Sequence, residues 1–132
     1  MANDDRAFPH RELSEHIIGS SMTVLNRLGC GLPEKVYERA LVIELRKRGH
    51  LIDQQKAFPV LYDGVCIGTL VPDLVIDEAV VVDTKVVADF DDEHFGKMLS
   101  YLSITRLDLA LLVNFRYPRL RWKRVVLQSS SA

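Results

Sequence analysis

At 132 residues, with 48% hydrophobic and 27% charged side chains, the chain suits one globular domain around a single core. That balance excludes collagen-like and disordered classes, and no apolar run approaches the ~20 residues of a membrane-spanning helix, because Asp73, Asp77, Asp83 and Asp108 interrupt the richest segments. A net charge of -1 excludes the strongly basic field of a nucleic-acid coat protein, so any polyanion must bind locally.

The opening stretch, Met1 to His16, is polar and mixed in charge, without the basic start and apolar block of a secretion signal, so a cytoplasmic location is expected. Leu13, Ile17, Val24, Leu25 and Leu28 then recur at near-helical spacing until Gly29 and Gly31 close the segment. Pro33 begins a second helix that runs to Arg48 and stops at Gly49. Its Tyr37, Leu41 and Leu45 share one side, in line with Glu34 at the helix start, so Glu34 is expected along the buried edge.

From Leu51 to Val87 the pattern becomes β-rich, with turn pairs at Asp63-Gly64 and Asp77-Glu78. It predicts a three-strand antiparallel meander over roughly 54–62, 65–76 and 79–87. Asp91 or Asp92 caps a third helix whose Phe95, Met98, Leu99 and Leu102 form a core-facing stripe, flanked by His94, Lys97 and Tyr101. Leu109 to Phe115 reads as a buried strand and Trp122 to Leu127 as another, followed by a frayed tail from Ser129 to Ala132. Cys30 and Cys66 lie in no zinc-type cluster and are expected to be buried thiols.

Asp73 follows Pro72, and nine residues later Asp83-Thr84-Lys85 lies on the next predicted strand. Alternation puts Asp83 and Lys85 on one face. Asp73 joins them only if the intervening turn has an odd number of residues, for instance centred on Glu78; a two-residue turn would send the carboxylates to opposite faces. Two converging carboxylates repel unless a cation or proton lies between them, and magnesium suits such a pair because it takes few protein oxygens and keeps several waters. The bland alternatives are an exposed Asp83–Lys85 pair on an edge strand and, for Glu34, a charge complementing the helix dipole. Arg116, Tyr117, Arg119, Arg121, Trp122, Lys123 and Arg124 form a basic, partly aromatic stretch that offers a track for a nucleic-acid backbone or a solvated edge.

Taken together, Gly31-Leu32-Pro33-Glu34-Lys35-Val36-Tyr37, Pro72-Asp73, Val80 to Lys85, His94 to Leu102 and Leu111 to Phe115 resemble, in order, the GxxExxY family of the PD-(D/E)xK nuclease superfamily over about residues 12–127. The resemblance implies a single α/β domain with a restriction-endonuclease-like core, a mixed β-sheet (antiparallel meander plus further strands) flanked by helices. It implies a magnesium- or manganese-dependent nuclease acting on DNA or RNA, with no membrane partner; a homodimer is compatible with it. Glu34, Asp73, Asp83 and Lys85 match the family's site, with Asp73, Asp83 and the Thr84 carbonyl as metal ligands and Glu34 organising water or a second ion. Lys97, Tyr101, Arg119, Arg121 and Lys123 are the nucleic-acid contacts expected. Asp83 stands where the family usually has glutamate, and Lys97 where it commonly has glutamine. A lysine donates but cannot accept hydrogen bonds. A non-cleaving binding module of the same fold, and a scaffold in which the acids and Lys85 form only a salt-bridge network, are the alternative readings.

Overall fold

A computed structural model describes residues 8–127; the frayed tail expected over Ser129–Ala132 lies outside them. The chain runs α1 (Arg11–Leu28), α2 (Glu34–Lys47), β1 (Ile52–Gln54), β2 (Phe58–Tyr62), β3 (Val65–Leu70), β4 (Leu74–Ile76), β5 (Val80–Lys85), α3 (Asp92–Thr105), β6 (Leu109–Asn114) and β7 (Arg121–Val125). Five strands form a mixed sheet in the order β1-β4-β5-β6-β7, in which β5 and β6 are parallel and the other neighbours antiparallel. Alternation along β5 explains the layers on either side. Val80 and Val82 face a core built with Ile17, Leu41 and Leu45 of α1 and α2, while Val81 faces Met98 and Leu102 of α3.

The meander is present only in its inner half. The first expected strand, 54–62, holds β2 and only the last residue of β1, which starts two residues earlier, and the second divides into β3 and β4, so that β2 and β3 leave the main sheet as a separate hairpin. The breaks have local causes. Gln55 adopts a left-handed backbone (φ 60°), and Pro72 has no N–H to offer a ladder and holds the preceding residue away from helical geometry. The hairpin turn itself is the one the sequence predicts: Asp63 and Gly64 both have positive φ, 51° and 78°, as a two-residue turn between twisted strands requires.

Asp91 caps α3, its Oδ1 accepting from the His94 N–H at 3.0 Å while its own N–H donates to His94 Nδ1. The apolar stripe is rotated from expectation: Met98, Tyr101 and Leu102 are buried, whereas Leu99 is exposed. The hairpin explains the rotation, because Phe58 and Leu70 cover the Tyr101 side of the helix. Both cysteines are exposed, against the expectation of buried thiols: Cys30 lies in the short loop between α1 and α2, and Cys66 on the hairpin that leaves the main sheet.

Tyr37 fastens the loop between α1 and α2. It is fully buried, stacks on Phe115 at 4.6 Å, donates its hydroxyl to the Gly29 carbonyl at 2.6 Å and accepts from the Leu32 N–H at 3.1 Å. Gly31 in that loop has φ 107°, a conformation a side chain would strain. Replacing Tyr37 by Phe keeps the stacked ring but leaves both main-chain groups without their partner. Urea unfolding should show a loss of about 1–3 kcal/mol with an unchanged m-value.

Candidate active site

The turn between β4 and β5 contains three residues, Asp77, Glu78 and Ala79, since Ile76 pairs with Val80. Asp77 and Glu78 both take left-handed conformations, φ 53° and 56°. Asp77 is secured in turn, with Oδ2 at 2.7 Å from His50 Nδ1 and Oδ1 accepting from the Leu51 N–H at 2.8 Å. The odd count fixes the consequence. Leu74 pairs with Val82, so one step further Asp73 lies opposite Asp83, on the face that carries Val75 and Val81 toward α3.

Asp83 is fully buried, and no main-chain N–H, hydroxyl or amide donates to its carboxylate; the facing Asp73 carboxyl, when protonated, donates to it. Its compensation is electrostatic: Lys85 Nζ stands 3.1 Å from Oδ2, without hydrogen-bond geometry, and Lys97 Nζ stands 4.0 Å away. Lys97 also lies 5.6 Å from the centre of the Tyr101 ring, where the ring face favours a cation. Asp73 is half-buried, and its pKa is pushed up to about 7, first by burial and then by the facing Asp83 and by Glu38, against the pull of Lys85. Tyr101, 3% exposed, has its hydroxyl pushed up to about 12 by burial and by the same two aspartates, and it points to the Val71 carbonyl at 3.5 Å. It is therefore a neutral wall of the site, with no ring face free for stacking on a base.

Two glutamates stand on the buried side of α2. Glu34 is half-buried in its first turn. One turn further, Glu38 is 1% exposed and is the helix carboxylate whose charge reaches Asp73. Its oxygens accept from Lys35 Nζ at 3.1 Å and Gln54 Nε2 at 3.0 Å, with Gln55 Nε2 at 3.5 Å. Gln55 closes the connection by donating its main-chain N–H to the Asp73 carbonyl at 3.1 Å. A carboxylate so engaged positions its neighbours and has little capacity left for a ligand. Its sequence signal was an acidic residue beside Tyr37 on the buried side of the helix, followed by the paired amides of Gln54-Gln55.

Thr84 sends its side chain to the opposite face, so only its main chain is shared with the carboxylates. The end of β5 is clamped to β6 and the turn beyond it. The Phe115 N–H donates to the Lys85 carbonyl at 2.9 Å, and Asn114, 1% exposed, donates Nδ2 to the Val87 carbonyl and accepts from the Val87 and Arg116 N–H groups. Across the sheet, Lys85 aligns with Asn114 and Arg121, and Asp83 with Leu112 and Lys123. Arg121 and Lys123 thus lie on the acidic pair's face, two strands and about 10 Å away. Arg121 also stacks 4.1 Å over Tyr117 and pairs with Asp89 at 3.6 Å. Arg119 is not with them; it lines a cavity with Met22 and Asn26 of α1.

A family model described as the PD-(D/E)XK nuclease superfamily matches residues 11–125. The chain belongs to the PD-(D/E)XK nuclease superfamily. No curated protein and no solved structure gives a significant match. Such nucleases generally use divalent metal ions, and the donor set suits one. Two carboxylates face each other, one of them fully buried and answered only by ammonium groups at 3.1 and 4.0 Å, an arrangement that a cation between the acids would further compensate. Among the described residues there is no cluster of three or more acidic, histidine or cysteine ligands. A hard ion that completes its shell with water and phosphate oxygens fits that set better than zinc, which is usually held by three or four side chains with histidine or cysteine among them.

The raised Asp73 pKa fixes a sign. Between the unfolded carboxyl value near 4 and the folded value of about 7, the native state holds the extra proton, so this group's contribution to stability falls as pH rises through that window. A cation must displace the same proton. Magnesium or manganese should therefore raise the melting temperature more at pH 8 than at pH 5.5, and Asp73→Asn should abolish the difference; an equal shift in the variant would show that the ion binds elsewhere.

Proposed function

We propose that this chain is a GxxExxY-type protein that hydrolyses phosphodiester bonds of DNA or RNA with a bound magnesium or manganese ion. The observation that carries the reading is the fully buried Asp83 carboxylate facing Asp73, with Lys85 beside it on the same face. Gly31 with its left-handed backbone and Tyr37 anchored to Gly29 and Leu32 give the two ends of the Gly31–Tyr37 motif a structural role, which supports the finer family reading. That assignment makes the motif an anchor for α2 and leaves the chemistry to the sheet.

Asp73 and Asp83 would hold the ion, with the Thr84 carbonyl as a third oxygen. Such an ion supplies charge neutralisation at the scissile phosphate and a more acidic water. Lys85, held against Asp83 and on the same face, donates to a phosphate oxygen where negative charge grows during attack. Asp73, deprotonated above about pH 7, keeps the pair anionic and able to orient a water proton. Lys97 is half-exposed on α3 and free to turn from Asp83 to a phosphate once an ion takes over Asp83's charge. Arg121 and Lys123 extend the same positive rim along the sheet, at a separation that suits neighbouring phosphates.

A second reading rests on Lys97 itself. With two ammonium groups within 4.0 Å of Asp83, much of the compensation an ion would provide is already built in, as in a module that grips nucleic acid without cutting it. Incubation with single- and double-stranded DNA and RNA, with magnesium or manganese, separates the readings. Hydrolysis should appear with metal and fall at least 100-fold in Asp83→Asn and in Lys85→Ala. Binding without cleavage, with cleavage gained in Lys97→Gln, would establish the non-cleaving module. Absence of both binding and cleavage would leave the Asp83–Lys85 pair as a structural salt bridge.

A further inference from the structure

Lys97 has a counterpart on the other flank of the acidic pair. Strand β1 is the outer neighbour of β4 and ends at Gln54, opposite Leu74, and the next residue, Gln55, still donates its N–H to the Asp73 carbonyl at 3.1 Å. Lys56 follows that bond directly, which sets its Cα within about 7 Å of the Asp73 Cα by strand spacing and chain step. Its exposed side chain lies over the Phe58 ring, Nζ 5.5 Å from the centroid, and Phe58 packs in the same cluster as Tyr101. Lys97 lies over Tyr101 in the same way, at 5.6 Å. Two lysines resting on rings of one aromatic cluster thus flank Asp73 and Asp83, one from the β1 side and one from α3.

The charges around the acids are differently committed. Lys35, Lys85 and Lys97 each stand within 4.0 Å of a carboxylate, Glu38 for the first and Asp83 for the other two. Among the described residues the Lys56 side chain makes no ion pair, and the Phe58 ring is its partner. A cation with no carboxylate to leave loses least when an external anion takes it.

We propose that Lys56 binds the backbone phosphate next to the one being cleaved, so that the substrate is a chain with at least one further phosphate, crossing the site from the β1–β2 connection to α3. The inference rests on the phosphodiesterase reading of Asp73 and Asp83 and names the class of substrate that site takes. An ammonium on the β1 side also offsets the repulsion that Asp73, Asp83 and Glu38 present to an incoming polyanion. Lys85 and Lys97 then attend the scissile phosphate, while Lys56 sets where the strand lies. The contact is to a group that DNA and RNA share.

Salt dependence reads this contact apart from cleavage. The probe is a labelled single-stranded oligothymidylate or oligouridylate of about 12 nucleotides, followed by fluorescence anisotropy in calcium, with strand integrity checked afterwards. Lys56→Ala should reduce the slope of log affinity against log salt by about 0.7, the share of one single-strand phosphate. Lys56→Arg should keep the wild-type slope, and so should Lys47→Ala, which removes the same charge from the last residue of α2. In magnesium or manganese, Lys56→Ala should raise KM for the oligonucleotide about tenfold with kcat within about twofold. Cleavage of TpT or UpU, which has a single phosphate, should not change; a merely structural role for Lys56 would slow both substrates alike. A slope that Lys56→Ala leaves at the wild-type value, or an equal loss on the long and short substrates, would overturn the inference and leave the Asp73–Asp83 site standing. A wild-type chain that neither binds nor cuts these strands would remove the phosphodiesterase reading itself, and the role of Lys56 with it.

Discussion

Two carboxyl groups held face to face beside a sheet cannot both ionise without positive charge between or beside them. That repulsion is the constraint around which the α3 face is arranged. It originates in the three-residue turn after β4, because a change of one residue in that turn would send Asp73 to the α1–α2 face and leave Asp83 alone. The turn is correspondingly well secured, by left-handed Asp77 and Glu78 and by the bonds from Asp77 to His50 and Leu51. A local loop geometry therefore sets the electrostatics of a site at the other end of the two strands it joins.

The surrounding elements either supply charge or hold position. Lys85 and Lys97 bring ammonium groups from the strand and from α3, while Glu38 adds a further negative charge behind Asp73 and is stabilised there by Lys35 and two glutamines. Asn114 and Phe115 lock the end of β5 and so fix the Lys85 main chain, and the Lys85 ammonium is held 3.1 Å from Asp83. Lys97, half-exposed and 4.0 Å away, is the internal ammonium that an external ion can replace without rebuilding the frame. Within a superfamily of nucleases, that property links the observed packing to metal-assisted chemistry.

Much of this was legible in the sequence because it depends on short-range rules. Period-two alternation put Asp83 and Lys85 on one face, turn parity stated the condition for Asp73, and Asp91 announced the start of α3. What escaped depends on contacts between distant segments. Continuous β-propensity from Val65 to Ile76 hid the break at Pro72, although a proline in an apparent central strand was itself the warning. Leu99 and Tyr101 exchanged places because only the packed hairpin decides which side of α3 is covered. Glu38 escapes a reading of the sequence because a buried helix glutamate becomes tenable only when Gln54 and Gln55 arrive from the next element. Arg119 likewise read as part of one basic track, but the loop before β7 turns it toward α1.

The central claim is that Asp73 and Asp83 share one divalent cation. Crystals soaked in manganese, with anomalous scattering measured at a wavelength where the ion is visible, test it most directly. The account predicts a single strong peak within coordination distance of one oxygen from each aspartate, with the Lys97 ammonium displaced from Asp83. Both carboxylates ordered, Lys97 still paired with Asp83 and no peak between the acids at saturating manganese would contradict it.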